Sequence, residues 1–445
     1  MAIDVSGRIG DSNGPTWRLV VPDGSDSIGT LTISPGTADL TWNQVNGPWA
    51  NYLKQINIIN ITGAIQVAGS INGLFANLTR ASTFTGLYRL NMIKNSTIVT
   101  MDNLFLNTPA IIGYGMLGTA FWTVQAEHEA GFLEIGAGAF EWKGLRTVPI
   151  GVQGATEEVP TSPWDDYRIH ILEIKIMGNL TISNSARNLF YFLNRVTKIT
   201  GLTKVDITAV SDIGGLFRNM WSLNAVDLSS FNTSAVTDMS WLFSNTWNLT
   251  KITFPDPLLS IGLWLTSNVT TMEGMFFNAK SLQILDVSNW DTSKVTKMNS
   301  MFYCASKLTY LDVANWDTDL VTDMSFMFFQ CGVRRPLPAL YDLDVANWQI
   351  GLAQVTWMFY RDKPRENPVT PYDPEDPSTH QWEPDPIRVD ISLWEVQWKE
   401  MEELGLYTCR ANMLGLDKPL WPPGLIYPDC ADYAEIDCAQ FYPAN

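Results

Sequence analysis

Positive charge is scarce in this 445-residue chain, where 29 Lys and Arg face 46 Asp and Glu for a formal net charge of −17. Nucleic acid and anionic membrane are therefore poor partners, since both are attracted by a positive field. Histidine is nearly absent: His128, His170 and His380 are the whole set. None stands in H-E-x-x-H or beside a G-x-S-x-G elbow, and no G-x-x-x-x-G-K-[ST] or G-x-G-x-x-G run occurs. No catalytic residue and no cofactor is expected, although two carboxylates placed for glycoside hydrolysis would leave no sequence trace.

Cysteine is also sparse. Five residues, without a C-x-x-C pair or a Cys/His cluster, give no disulfide scaffold and no zinc site. Cys304 and Cys331 read as buried free thiols, while Cys430 and Cys438 leave room for a bridge that would be a staple. The N-terminus lacks the basic and apolar regions of a secretory leader, so none is expected ahead of the fold. Asn103 to Ala126 is uncharged, but its Pro109, its glycines and its polar residues favour a buried repeat over a membrane span. Sites of the form N-x-[ST] at Asn77, Asn179, Asn232, Asn248 and Asn268 arise from composition, and glycosylation carries little weight.

What is abundant is apolar and aromatic: 46% hydrophobic residues and 18 Trp exclude disorder for the bulk of the chain. A chain this long exceeds one ordinary core unless the core grows by repetition, and repetition is what the sequence shows. Val236-Thr-Asp-Met239-Ser-Trp-Leu242-Phe243 aligns without gaps with the segments starting at Val269, Val295 and Val321, giving V-T-x-M-x-x-[ML]-F. Weaker copies begin at Ile98 and Val210, and Val355-Thr-Trp-Met358-Phe359 closes the series. A second block alternates with it. Leu282-Gln-Ile-Leu285-Asp286-Val287-Ser-Asn-Trp290-Asp-Thr292 matches Leu308 to Thr318 and Leu340 to Trp348, with looser copies at Leu202 and Leu223. First leucines at 223, 249, 282, 308 and 340 step by 26, 33, 26 and 32, a base period of 26 with insertions.

In V-T-x-M-x-x-M-F the apolar residues fall at i, i+3, i+6 and i+7, the pattern of a short helix capped by Thr. In L-x-x-L-D-V, apolar residues flank Asp, the pattern of a short strand with one buried side. Asn-Trp-Asp-Thr supplies the turn. The expectation is an α/β repeat solenoid, leucine-rich-repeat-like, with one short strand and one short helix per coil. Its core would comprise Met239, Phe243, Met272, Phe276, Leu285, Met298, Phe302, Leu311, Met324 and Phe328, with Trp290, Trp316 and Trp348 as an aromatic ladder. Exposed, those three indoles would instead make a sugar platform.

Over 204–332 this string resembles the BspA-like leucine-rich repeats, in particular the roughly 25-residue type of surface lipoproteins. A second unit of that family is matched by Ile135-Gly-Ala-Gly-Ala-Phe140-Glu-Trp-Lys-Gly-Leu145-Arg-Thr-Val148-Pro149. The family often carries Cys four residues after the Met of M-F. Cys331 fits and Cys304 is one place early, so a regular cysteine ladder is in doubt. The resemblance implies a secreted or displayed protein that binds host molecules, other cells or matrix.

Four regions are expected: a β-rich cap or attachment region at 1–60, the solenoid at 61–360, a Pro-rich acidic arm at 361–390, and an irregular C-terminal region at 391–445 with an amphipathic helix and a loop-rich cap. The candidate site is the ladder Asp206, Asp227, Asp286, Asp312 and Asp344, outward residues on coils about 4.8 Å apart. Like charges so close need backbone or hydroxyl donors, a basic ligand, or calcium. Extracellular composition without a leader points to a virion surface component, a head decoration or tail-associated receptor binder, with a cellular adhesin as the alternative and a carbohydrate-active enzyme as the remaining one. Expected partners are other virion proteins in a homo- or hetero-oligomeric assembly, and a host-surface protein or glycan; neither nucleic acid nor membrane insertion is expected.

Overall fold

The computed structural model describes residues 2–24, 27–37, 39–94, 97–127, 130–142, 146–149, 156–159, 162–255, 264–332, 342–345, 347–349, 353–355, 358 and 388–390. The chain is a β-solenoid, and among the described residues the helix expected in each coil is absent. Among the described residues the helical segments are the three-residue 3-10 turns Ala50–Tyr52, Leu87–Arg89, Asp165–Tyr167 and Leu202–Lys204.

The backbone of one coil shows why the α/β expectation fails. Met272, Gly274, Phe276 and Asn278 donate their N–H groups to Lys297, Asn299, Met301 and Tyr303 of the next coil, at 2.7–2.9 Å. The intervening Met275, Phe277 and Ala279 donate back to Met272, Gly274 and Phe276 at 3.0–3.2 Å. An α-helix would send every N–H back four residues; here alternate donors point along the solenoid axis. That alternation needs left-handed backbone at every fourth residue, at Gly274 and Asn278 (φ 56° and 57°), Ser300 and Cys304 (57° and 53°), and Phe326 and Gln330 (59° and 52°). The segment is a run of turns. Its near-helical apolar spacing comes from turns that return Met272, Met275 and Phe276 to one side.

The architecture occurs twice. Ile3–Arg8, Thr16–Val21 and Gly29–Ser34 form an antiparallel meander, and Ile56–Ile61 and Thr83–Thr85 then add in parallel. Ile111–Leu117, Ala120–Glu127 and Ala130–Ile135 repeat the meander, followed in parallel by Glu173–Ile176 and Lys198–Thr200. A second sheet accompanies each copy, Leu40–Asn43 with Ile65–Asn72 and Leu90–Asn91, and Gly138–Trp142 with Leu180–Ser185 and Val205–Asp212. The sequence carries the duplication at a constant separation of 115 positions: Trp49 and Trp164, Tyr52 and Tyr167, Ile56 and Ile171, Phe75 and Phe190, Gly86 and Gly201. Gly7 lies opposite Trp17, and Gly115 opposite Trp122. A Cβ would sit 2.8 Å from the Trp17 indole at Gly7 and 3.0 Å from the Trp122 indole at Gly115, so either ring would have to shift to admit a side chain.

Stacked aromatics fill both cores. Trp49, Phe75 and Phe105 stack in the first copy. In the second, Trp164, Phe190, Phe217, Phe243, Phe276, Phe302 and Phe328 stack with centroids 5.5–6.0 Å apart. Trp290, Trp316 and Trp348 form a parallel inner ladder, and the indoles of Trp316 and Trp348 donate to the Val287 and Val313 carbonyls. Those three rings are buried, as are Met239, Met272, Met298, Met324, Leu285 and Leu311.

The C-terminal helix, the acidic arm apart from Arg388–Asp390, His128, His380, Cys409, Cys430 and Cys438 lie outside the described residues. Arg388–Asp390 pairs in parallel with Asp342–Asp344. No described helix is long and apolar enough to cross a membrane.

Because each ring contacts the one above and below, truncation opens a void that cannot collapse. Phe276→Ala is expected to cost about 3–5 kcal/mol, measured as a shift of the urea midpoint at unchanged slope.

Candidate binding face

The aspartates of the L-D-V segments lie on the outside; Asp206, Asp227 and Asp344 fall in strands, whereas the strand expected around Asp286 and Asp312 is reduced to the isolated bridge Ile284–Tyr310. Asp206, Asp227, Asp286 and Asp312 accept the backbone N–H two residues on, from Thr208, Ser229, Ser288 and Ala314, at 2.9–3.2 Å. Ser288 adds its hydroxyl to Asp286 at 2.7 Å. The Thr208 side chain and N–H hold Asp206 below its ordinary carboxylate range. Asp344 ends the strand Asp342–Asp344 and is exposed. Among the described residues no group of three or more His, Cys, Asp or Glu could hold a metal ion. Asp206, Asp227, Asp286 and Asp312 are thus engaged by the backbone two residues on, as turn formers.

A second ladder faces outward one residue after the inward valines. Thr237, Thr270, Thr296 and Thr322 each donate their hydroxyl to a carbonyl of the preceding coil at 3.0–3.1 Å. Beside it, Arg187 crosses two coils: its Nε donates to Asp212 at 2.6 Å and its Nη2 to Asp238. Burial pushes the Asp212 carboxyl up, and Arg187 pulls against it.

The face formed by the turn segment is different. Phe192 meets Trp221 edge-on at 5.6 Å, and Trp221 stacks on Trp247 at 4.9 Å with planes 5° apart. A parallel row joins Trp241 to Phe277 at 5.6 Å, then Phe277 to Tyr303 and Tyr303 to Phe329, each at 4.6 Å. Most of these rings are half-buried and Trp247 is exposed. Cations sit on them: Arg168 over Phe192 at 4.7 Å, Arg218 over Trp241 at 4.9 Å with Tyr191 at 5.9 Å, and Lys280 over Trp247 at 4.9 Å. Arg168 pairs with Asp165. Among the described residues, Arg218 and Lys280 make no ion pair, and the buried Nε of Arg218 has no hydrogen-bond partner. Carboxylates that precede the strip in these coils are engaged, Asp212 and Asp238 by Arg187 and Glu273 by the Asn299 amide.

None of these strip residues stands among the sequence-expected site residues. The available signal was that the residue after each ladder Phe reads Tyr191, Arg218, Ser244, Phe277, Tyr303 and Phe329. That is far more aromatic than an outward position needs to be.

One buried ionisable group lies where the second meander meets the first copy. Glu134 is 5% exposed and accepts a hydrogen bond from Gln125 at 2.8 Å. Desolvation raises its carboxyl to about 7, with Lys175 and Arg89 opposing the rise.

Two outcomes follow. Glu134 holds a proton in the fold that the unfolded chain releases near pH 4.5, so its contribution is complete below that pH and is lost as pH rises through about 7. The loss amounts to about 3 kcal/mol, and Glu134→Gln should flatten stability over that window in urea titrations at stepped pH. Asp286→Ala should cost about 1 kcal/mol while Asp286→Asn, which keeps the accepting oxygen, costs less. Thermal melts with calcium or with a chelator should coincide if the aspartates serve turns alone.

Among known proteins, the family model described as "Mycoplasma protein of unknown function, DUF285" matches residues 184–255 and 253–372. No curated protein and no solved structure matches the chain. The match covers the regular coils of the second copy, which are thereby similar to a repeat family, and leaves both meanders outside it.

Proposed function

We propose that this chain is a non-catalytic display protein whose solenoid holds a long outer face for a partner. The observation that carries the reading is the division of labour among its polar side chains. Within the coils, the aspartates close turns, the threonines tie each coil to the one before, and Arg187 clamps two coils, so that their chemistry serves rigidity. On the turn face, Arg218 and Lys280 lie on aromatic rings and make no ion pair among the described residues. Half-exposed aromatic and cationic side chains held by a stiff scaffold suit a recognition surface.

The BspA-like resemblance supports the same reading, since members of that family are displayed binders. A virion surface, as head decoration or tail-associated receptor binder, is the finer proposal, and a cellular surface is its alternative. Immunogold electron microscopy of intact virions and intact producing cells, with antibody to the solenoid, tests it. Label on the outer surface of virions is the expected result. Label on cells alone would select the adhesin, and label only after disruption of both would overturn display.

A further inference from the structure

Taking display as given, we infer that the turn face between Tyr191 and Phe329 binds a glycan that carries sparse carboxylates, about one per disaccharide. The argument begins with what the face withholds. Trp221 and Trp247 cover each other's planes, Phe192 closes one side of the stack, and Lys280 lies over Trp247. Their ring faces are already occupied, so a neutral sugar gains little of the flat stacking that an isolated exposed indole offers. What remains open is polar. The indoles of Trp221 and Trp247 make no hydrogen bond among the described residues, and the guanidinium of Arg218 is held between Tyr191 and Trp241 without an anion. A guanidinium fixed in this way has lost its rotamer entropy before a ligand arrives, and carboxylate is the group its planar fork fits.

Charge density then chooses the polymer. Arg218 and Lys280 belong to coils two apart, so the unpaired cations are spaced about 10 Å along the axis. Nucleic acid presents a phosphate every ~3.4 Å of each strand, far denser than these cations, and the net charge of −17 repels so dense a polyanion. A polysaccharide with one carboxylate per disaccharide meets the cations while its uncharged sugars lie against ring edges and amides. The ladder Asn219, Asn245 and Asn278 runs beside the strip, with each amide after the first donating to its neighbour at 2.7 and 2.9 Å.

Isothermal titration of the full chain with hyaluronan oligosaccharides, which carry one carboxylate per disaccharide, tests the inference against chitin oligosaccharides, which are neutral, and oligo-dT. Hyaluronan should bind, and should weaken with salt. Arg218→Gln with Lys280→Gln should reduce affinity at least about tenfold, while Arg18→Gln, on the N-terminal meander, should leave it unchanged. Melting curves establish that each variant is folded. Should the double variant lose its transition, Lys280→Gln alone must still weaken binding several-fold, because Lys280 makes no ion pair among the described residues. No binding of hyaluronan, equal binding of the chitin oligosaccharide, tighter binding of oligo-dT, or unchanged affinity in folded variants would each overturn the inference. Surface labelling by antibody is indifferent to the glycan, so display and ligand chemistry fail separately.

Discussion

Every coil of this solenoid must hand alternate backbone N–H groups to the next coil along the axis, and that obligation governs side chains as well as backbone. Once coils stack in register, each side chain lies over its counterpart, so a position works best when its residue can satisfy itself repeatedly. Phenylalanine does so by stacking, as from Phe217 to Phe328. Asparagine does so with an amide that both donates and accepts, as in Asn46, Asn77 and Asn107 and again in Asn219, Asn245 and Asn278. Asn77, Asn107, Asn219, Asn245 and Asn278 also sit at positive φ, which asparagine tolerates better than most residues. One residue type therefore answers both demands of the turn. Cys304 and Gln330 keep the backbone conformation at later coils, which shows that the ladder of hydrogen bonds between coils holds it there.

The period of the array, the inward residues and the turn role of Asn-Trp-Asp-Thr were legible because burial repeats with the coil. The nature of the V-T-x-M-x-x-M-F segment was not. Residues at i, i+3 and i+4 return to one side both in a helix and in a run of turns, and only the φ of Gly274, Ser300 and Phe326 separates the two. Two of these three are not glycine, so composition gave no warning. A sequence window also weighs each N–H as if its partner were local, whereas Phe276 and Asn278 find theirs about 25 residues away. The outer face was hidden for a related reason: Trp221, Trp241 and Trp247 stand outside the inward positions of the repeat, and whether they are half-exposed depends on a coil geometry that the helix pattern misplaced. The duplication at 115 positions was present in plain residues, in Pro48-Trp49 with Tyr52 and Pro163-Trp164 with Tyr167. A search tuned to the 26-residue period passes over it.

The two meanders show how one architecture is fitted to two surroundings. A solenoid end exposes unpaired backbone and apolar rings unless something closes it. In the first copy the meander's outer positions include Arg18 and Val20, both exposed, and Arg18 forms a surface ion pair with Asp4. Because Trp17 and Trp122 both lie opposite a glycine, Thr123 and Gln125 occupy the same places in the second copy, and there they are 1% and 2% exposed. Thr32 of the first copy likewise corresponds to buried Glu134 of the second.

What covers the second meander is the end of the first solenoid, through Phe105 against Tyr114 at 5.1 Å and through Arg89, whose charge reaches Glu134. Burial there forces the polar positions to pair among themselves, which Gln125 and Glu134 do. An apolar pair would seal the junction more cheaply, since a buried polar pair must first recover its own desolvation. The polar pair instead ties the packing of the second meander against the first copy to the protonated form of Glu134, which desolvation favours.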